Sequence, residues 1–133
     1  MAKDTYIEGI GRRKTASARV RLTPAKETTF EINGKTLAAY FENDAFEKNV
    51  TSVLATEETG AGDYTVTVKV SGSGLSAQSE AIRLGIARAL VKEKADRRSV
   101  LKPLGFLKRD PRSVERKKFG LKKARKSSQW SKR

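Results

Sequence analysis

The sequence contains neither cysteine nor histidine. Without cysteine there are no disulfides, no thiolate nucleophile and no cysteine-ligated metal. Without histidine the commonest general base and the commonest metal ligand are also missing. The carboxylates are scattered and match no spacing typical of a metal site or an acid–base pair. We therefore expect a protein that is not an enzyme and that holds no cofactor or metal.

Long apolar runs are lacking as well. No stretch approaches the ~20 apolar residues of a membrane-spanning helix, and the N-terminal sequence MAKDTYIEG has no apolar signal region. The basic C-terminal segment has no apolar helical face with which to lie on a membrane. These absences favour a soluble, cytoplasmic protein with no membrane role.

What the sequence has in excess is positive charge, and most of it lies near the C-terminus. The 133 residues include 29 Lys and Arg against 15 Asp and Glu, a net charge of +14. Residues 101–133 hold thirteen of the basic and two of the acidic side chains, so they carry +11 of that total. Because nucleic acids are the abundant polyanions of the cell, this imbalance predicts a nucleic-acid-binding protein.

The charge distribution also predicts two parts. From Lys108 onward the few apolar residues follow no sustained period of 2 or 3.6, so the segment cannot bury enough surface to offset its ordering entropy. We predict a globular domain over residues 1–107 and an extended basic arm over residues 108–133. A disordered, solubilising tail is the alternative interpretation of the arm.

Four segments are typical of strands. Residues 15–22 place Ala16, Ala18, Val20 and Leu22 on one face and polar residues on the other, and residues 64–70 alternate in the same way. Shorter, weaker candidates cover residues 5–10 and 29–32. Directly after the candidate strand 29–32, Asn33-Gly34 can turn a two-residue hairpin. Thr36, followed by apolar residues at helical spacing, instead indicates a capped helix, which we favour.

Several further helices are predicted. Asn43 or Asp44 can cap a helix that contains Phe46, Val50, Val53 and Leu54. Residues 75–94 form the main helix, and a short helix over 97–102 is stopped by Pro103. Asp110-Pro111 has the composition of an N-cap followed by a first helical residue, which predicts one or two turns ending at Gly120.

Two glycine-bearing segments are candidates for anion binding. Gly72-Ser-Gly74-Leu-Ser-Ala77 formally matches a dinucleotide fingerprint, but the βαβ unit and acidic residue that this fingerprint needs do not follow it. Free amides at a helix N-terminus remain suited to a nucleic-acid phosphate, and a plain strand–helix turn is the alternative. Gly9 and Gly11 precede Arg12-Arg13-Lys14, which predicts close approach of the backbone to an anion, with a solvated turn as the alternative.

The arm has the reach and composition of an RNA-binding extension. Residues 120–133, if extended, span about 46 Å. Phe119 and Trp130 can stack on bases or dock on protein, and both alternatives stay open. The mixture of Lys and Arg predicts recognition of shape and backbone rather than of base sequence.

Three blocks of the sequence resemble a known family. They are GRRKTASARVRL (11–22), SGSGLSAQSEAIRLGIARAL (71–90) and RDPRSVERKKFGLKKARKSSQWSKR (109–133). In order and spacing they are similar to the bacterial form of small-subunit ribosomal protein nine, and the resemblance covers nearly the whole chain. Ser71, Ser73, Ala77 and Ser79-Glu80 stand where the family pattern is richer in glycine.

The resemblance implies a fold and a set of partners. The fold is a two-layer α/β (α+β) domain, with helices packed on a small four-stranded sheet and a left-handed βαβ crossover. The implied partners are ribosomal RNA in the head of the small subunit, neighbouring proteins of that head, and transfer RNA in the peptidyl site. No homo-oligomer is expected, and the implied location is the cytoplasmic ribosome.

The site residues follow from the resemblance together with the charge pattern. The tip residues implied to contact transfer RNA are Ser131, Lys132 and Arg133. The candidate ligands for ribosomal RNA are Arg12, Arg13, Lys14, Arg19, Gly72, Gly74, Gln78, Arg83, Arg109, Arg112, Arg116, Lys117, Lys118, Lys122, Lys123, Arg125 and Lys126.

Two rival functions are kept. One is a free-standing nucleic-acid chaperone with no fixed RNA partner, which would leave ribosomal particles at moderate salt. The other is a small enzyme that holds a nucleotide phosphate in the glycine loop, which titration with nucleotides would reveal.

Overall fold

The computed structural model describes residues 5–57, 60 and 62–132. In chain order its main elements are β1 Ile7–Arg13, β2 Ala16–Pro24, β3 Thr29–Ile32, β4 Lys35–Thr36, α1 Leu37–Phe41, α2 Asp44–Ala55, β5 Tyr64–Ser71, α3 Leu75–Glu93, a 3₁₀ turn Ala95–Arg97 and α4 Arg98–Leu101.

The strands form one mixed sheet in the order β1-β2-β5-β3-β4. β1 and β2 are antiparallel, as are β2 and β5, whereas β3 runs parallel to β5. The parallel pair is connected through α1 and α2, which makes a βαβ crossover. The two-layer α/β architecture expected from the sequence is therefore confirmed, while the left-handedness of the crossover stays a prediction.

The alternation predicted for the two strongest strands is confirmed. In β2 the buried residues are Ala16, Ala18, Val20 and Leu22, and in β5 they are Tyr64, Val66, Val68 and Val70. These side chains share one core with the helices. The residues between them face away from the core, so one face of the sheet is covered by helices and the other is open.

The expectation of four strands is wrong by one strand, and the cause is the Asn33-Gly34 dipeptide. Both residues have positive φ, 51° and 82°, and they join β3 to the two-residue β4. This is the backbone shape of a two-residue hairpin. The hairpin does not replace the favoured helix, because Thr36 ends β4 and also caps α1, its side chain accepting from the Ala39 amide at 3.3 Å. The two alternatives are both present, one directly after the other.

The other predicted helices of the domain form close to their expected bounds. Asn43 caps α2 by accepting from the Ala45 amide at 2.9 Å. α3 covers 19 residues, and eleven of them are buried because the helix lies between the sheet and α2. Within the part of the chain that the structure describes, no helix has the length and apolar character to cross a membrane.

Helix α3 approaches β1 closely because both elements carry small residues at the contact. A Cβ placed on Gly11 would lie 1.7 Å from the Ala81 carbonyl oxygen, and one placed on Gly9 would lie 2.2 Å from that of Gly85. No real Cβ fits at such distances. The prediction that Gly9 and Gly11 bring the backbone close to an anion is therefore wrong: their missing side chains make room for a helix.

The arm departs from prediction in two places. No helical turn follows Asp110-Pro111, because the Asp110 carboxylate accepts from the Arg112 amide at 3.0 Å and from the Arg112 side chain, which forms a local turn instead. Farther on, where no structure was expected, Leu121 and Ser127 form an isolated antiparallel bridge, and the Lys122 amide donates to the Lys126 carbonyl at 2.7 Å. The domain boundary at residue 107 stays a prediction.

A polar cluster ties the start of β5 to the end of α3. Tyr64 donates its hydroxyl proton to Glu93, and Arg97 donates to the same carboxylate at 2.7 Å and to the Leu90 carbonyl at 3.3 Å. Burial by itself would raise the pKa of Glu93, but the hydrogen bonds from Tyr64 and Arg97 outweigh it and lower that pKa below its ordinary value of 4.5. Burial, and then the hydrogen bond to Glu93, raise the pKa of Tyr64.

These shifts predict an acid-sensitive fold. Because the folded pKa of Glu93 is lowered, its stabilising contribution is present above the ordinary carboxyl pKa and is lost as pH falls through the folded pKa. We expect Glu93→Gln to lower the free energy of unfolding at neutral pH by about 1.5–3 kcal/mol, since buried Arg97 loses a charged partner. It should also flatten the fall in stability below pH 4.5. Urea titrations at several pH values measure both effects.

The matched control is Glu115→Gln, since the ion pairs of Glu115 lie on the exposed arm. Its effect on unfolding should stay within about 0.5 kcal/mol. Equal acid sensitivity in wild type and Glu93→Gln would contradict the assignment.

Candidate nucleic-acid interface

The segments singled out for nucleic-acid binding meet at one end of the sheet. The β1–β2 turn contains Lys14 and lies beside the glycine loop between β5 and α3: a Cβ on Gly72 would come within 2.4 Å of the Thr15 carbonyl oxygen. The root of the arm reaches the same turn, where the Arg109 guanidinium donates to the Lys14 carbonyl at 3.4 Å. Three segments far apart in sequence thus form one surface, which we call the basic end.

The three cations of the basic turn point in different directions. Arg12 pairs with Ser17 on the open face of the sheet and is exposed, whereas Arg13 lies on the helix face. There Arg13 donates to Glu80 of α3 at 2.6 Å and to the carbonyl of Arg112. Lys14 sits in the turn at φ 53° and is exposed. Arg12 and Lys14 are therefore open to a ligand, while Arg13 is occupied within the chain.

The glycine loop combines a tight backbone with an open helix start. Gly72 and Ser73 both have positive φ, 86° and 52°. Gly74 has no atom within 4 Å of the position a Cβ would take, and no side chain caps α3, so the first helical amides are open. Gln78, a candidate RNA ligand, is buried instead: it donates to the Gly72 carbonyl at 3.0 Å and accepts from the Tyr40 hydroxyl. Gln78 holds the loop in place.

The open face of the sheet adds cations to the basic end. Arg19 is 57% exposed and lies directly opposite Lys69 of β5. Beside these two side chains is a shallow depression of about 530 Å³, which extends to Asn33 and Gly34 of the hairpin turn. Two carboxylates oppose the cations on this face: Glu8, at 3.3 Å from Arg19 and 3.4 Å from Arg21, and Glu31, which lines the depression.

The site residues predicted from the sequence leave out two cations of this face. Arg21 and Lys69 share the open face with Arg19, and the alternation of β2 and β5 together with their antiparallel pairing is the signal that places them there. Arg83, which was a candidate, lies on α3 with its guanidinium 5.7 Å from the centre of the Phe106 ring. That contact connects α3 to the segment just before the arm.

The arm carries its cations in the open. The exposed candidates are Arg109, Arg112, Arg116, Lys117, Lys118, Lys122, Lys123, Arg125 and Lys126. Glu115 pairs with two of them, Lys118 and Arg125. Phe119 is 100% exposed and Trp130 is 80% exposed. Both side chains are therefore accessible, and the two predicted roles, stacking on bases and docking on protein, stay predictions.

The tip of the arm is described only in part. Ser131 and Lys132 are exposed, whereas the prediction for Arg133 falls outside the described residues. Asp110, at the arm root, stays ionised: the hydrogen bonds from the Arg112 side chain and amide hold its pKa well below the ordinary range. Across residues 5–57, 60 and 62–132 no cluster of acidic side chains has the arrangement of a metal site.

Comparison with known proteins shows the family to which this sequence is similar. The family described as ribosomal protein S9/S16 matches residues 11–133. The chain is 49% identical to small ribosomal subunit protein uS9 of Thermotoga maritima over 136 aligned residues, which cover 100% of both chains. It is 48% identical to small ribosomal subunit protein uS9 of Rhodococcus opacus, over 98% of this chain and 75% of that protein.

Proposed function

Because this chain belongs to the ribosomal protein S9/S16 family, whose members are structural proteins of the small ribosomal subunit, we propose that its basic end binds ribosomal RNA and that its arm runs on to transfer RNA. The chain is accordingly a constituent of the small subunit in the cytoplasmic ribosome and not an enzyme. Its domain anchors it in the head of the subunit, among the other proteins there.

The observation that carries this proposal is the convergence at the basic end. The exposed cations of the β1–β2 turn, the open amides at the start of α3 and the root of the arm lie together, although up to 99 positions separate the contacting residues. Phosphates are bound by such combinations of point charge, guanidinium and helix N-terminus. Asp63 and Glu93 lie at the opposite end of the sheet.

The arm extends this binding surface away from the domain. It adds twelve basic residues against Asp110 and Glu115, so affinity and salt dependence should come chiefly from the arm. Its last residues, Ser131, Lys132 and Arg133, are the proposed contact with the phosphates of peptidyl-site transfer RNA. Because this proposed contact is made to phosphates, it would hold any transfer RNA by its backbone.

Deletion of residues 131–133 tests the proposed role of the tip. We expect small subunits that contain the shortened chain to assemble and sediment normally but to release peptidyl-site transfer RNA faster, by roughly a factor of ten for two lost phosphate contacts. The measurement is filter retention of labelled transfer RNA on purified subunits over time.

The matched control is Lys122→Gln with Lys123→Gln, which removes the same positive charge from the middle of the arm. This control should leave transfer-RNA release unchanged. Failed assembly of the shortened chain, with unchanged release from the subunits that do form, would assign the tip a folding role instead.

A further inference from the structure

Besides the hydrogen bond from Arg109 to the Lys14 carbonyl, the root of the arm is fastened to the domain by the guanidinium of Arg13. Its Nε donates to Glu80 of α3 at 2.6 Å, its Nη1 donates to the main-chain carbonyl of Arg112, and its Nη2 lies 3.6 Å from the Asp110 carboxylate. The side chain of Arg13 is only 11% exposed. One residue of β1 therefore joins the main helix to the first residues of the arm.

These contacts use the donors with which Arg13 would grip RNA. A guanidinium binds a phosphate best through two parallel N–H groups. Here the three nitrogen atoms are directed at three partners within the chain. Arg12 and Lys14, its two neighbours, are exposed. The sequence places three cations in a row, but the middle one has a different environment.

The acidic partners of Arg13 carry the same sign of charge as the RNA that this surface is proposed to bind. Asp110 and Glu80 both lie at the basic end, where a carboxylate repels phosphate. Asp110 also forms an ion pair with Arg112, at 2.8 Å. The turn at the arm root is therefore stabilised by a contact within the turn and by its contact with Arg13. Two carboxylates that oppose RNA binding by charge need another reason to be there, and their shared contact with Arg13 supplies one.

We propose that Arg13, Glu80 and Asp110 form a clasp that fixes the direction in which the arm leaves the domain before RNA binds. The proposal rests on the proposed RNA-binding function, because a fixed arm matters only if the arm has a ligand. Residues 113–118 have no regular structure of their own, so without the clasp the arm would sample many directions. An arm aligned in advance loses less conformational freedom on binding. Arg13 is then a positioning residue and not an RNA ligand.

The sign of one substitution separates the clasp from simple charge. Asp110→Asn removes a negative charge, so electrostatics alone predicts tighter binding to RNA. The clasp predicts the opposite, a loss of about three- to tenfold in affinity for protein-free small-subunit ribosomal RNA, with the salt dependence unchanged. Glu115→Gln is the matched control: it removes the same charge from the arm, outside the clasp, and should leave affinity equal or raise it.

A distance measurement on the free protein tests the clasp without RNA. The chain has no cysteine, so Ser99→Cys and Val114→Cys, both at exposed positions, can carry a pair of spin labels. We expect a narrow distance distribution that broadens when Asp110→Asn or Glu80→Gln is added. Distributions that stay equally wide or equally narrow in all variants would overturn the clasp.

The two proposals fail in different ways. If the wild-type chain does not bind ribosomal RNA while the distances respond as expected, the RNA-binding function is wrong and the clasp stands. If Asp110→Asn binds RNA more tightly and the distances do not change, the clasp is wrong and RNA binding stands.

Discussion

Replacing four cations of the arm with glutamine is expected to weaken binding to small-subunit ribosomal RNA by on the order of 10²–10³-fold at low salt. The four are Lys122, Lys123, Arg125 and Lys126, and all are exposed. Each phosphate contact releases counterions, so the slope of log affinity against log salt should fall by about 3 to 4. Fluorescence anisotropy of labelled RNA, titrated at several salt concentrations, measures the affinity and the slope together.

A matched variant separates the position of the charges from their number. Lys26, Lys92, Lys94 and Arg98 are also three lysines and one arginine, and they are exposed away from the basic end. Replacing them with glutamine gives the same net charge of +10, yet the affinity should fall by less than about tenfold. Equal losses in the two variants would mean that RNA responds only to total charge and that the arm has no special position.

Substituting alanine at Gly11 is expected to destabilise the domain by about 3 kcal/mol or more, the upper part of the range for overpacked cores. The added methyl group would stand 1.7 Å from the Ala81 carbonyl oxygen and 2.6 Å from the Gly85 amide nitrogen. Both atoms belong to the backbone of α3, so no side chain can rotate to relieve the overlap. Either α3 moves away from β1, with loss of core contacts, or the strand distorts.

Chemical denaturation followed by circular dichroism measures this effect. Gly62→Ala is the control, because nothing lies within 4 Å of the position its Cβ would take and its φ is not in the left-handed region. It should leave the midpoint of unfolding nearly unchanged or raise it slightly. A Gly11→Ala protein with the wild-type midpoint would show that α3 and β1 are not in close contact.

Local patterns sufficed to predict much of the domain. Apolar and polar residues alternate along β2 and β5 because one face of each strand is buried, and this alternation can be seen in the sequence alone. The cap at Thr36, and Asn43 as one of two candidate caps of α2, were predicted from residue type because each satisfies an amide one turn or less away. The hairpin at Asn33-Gly34 has an equally local cause, and the only error was to treat it as excluding the helix that follows.

Features that depend on distant partners were not predicted. Gly9 and Gly11 leave room for the backbone of α3, which lies more than sixty residues later in the sequence. Arg12 and Arg13 fall on opposite faces because β1 continues through both, whereas the sequence indicated a turn. Arg13 meets Arg112 across 99 positions, a contact that no periodicity encodes. The charge pattern therefore located the basic segments, and the fold determined which of their side chains remain open.

Sedimentation of a cell lysate through a sucrose gradient in high salt tests the central claim most directly. Multiple phosphate contacts from the basic end and the arm, together with folding into ribosomal RNA, should keep the chain with the small subunit after exchangeable RNA-binding proteins have washed off. The expected result is that antibody detection finds the chain in the small-subunit fractions. Its release into the top fractions would mean that screened, exchangeable charge holds it, and would favour a free-standing chaperone over an integral component.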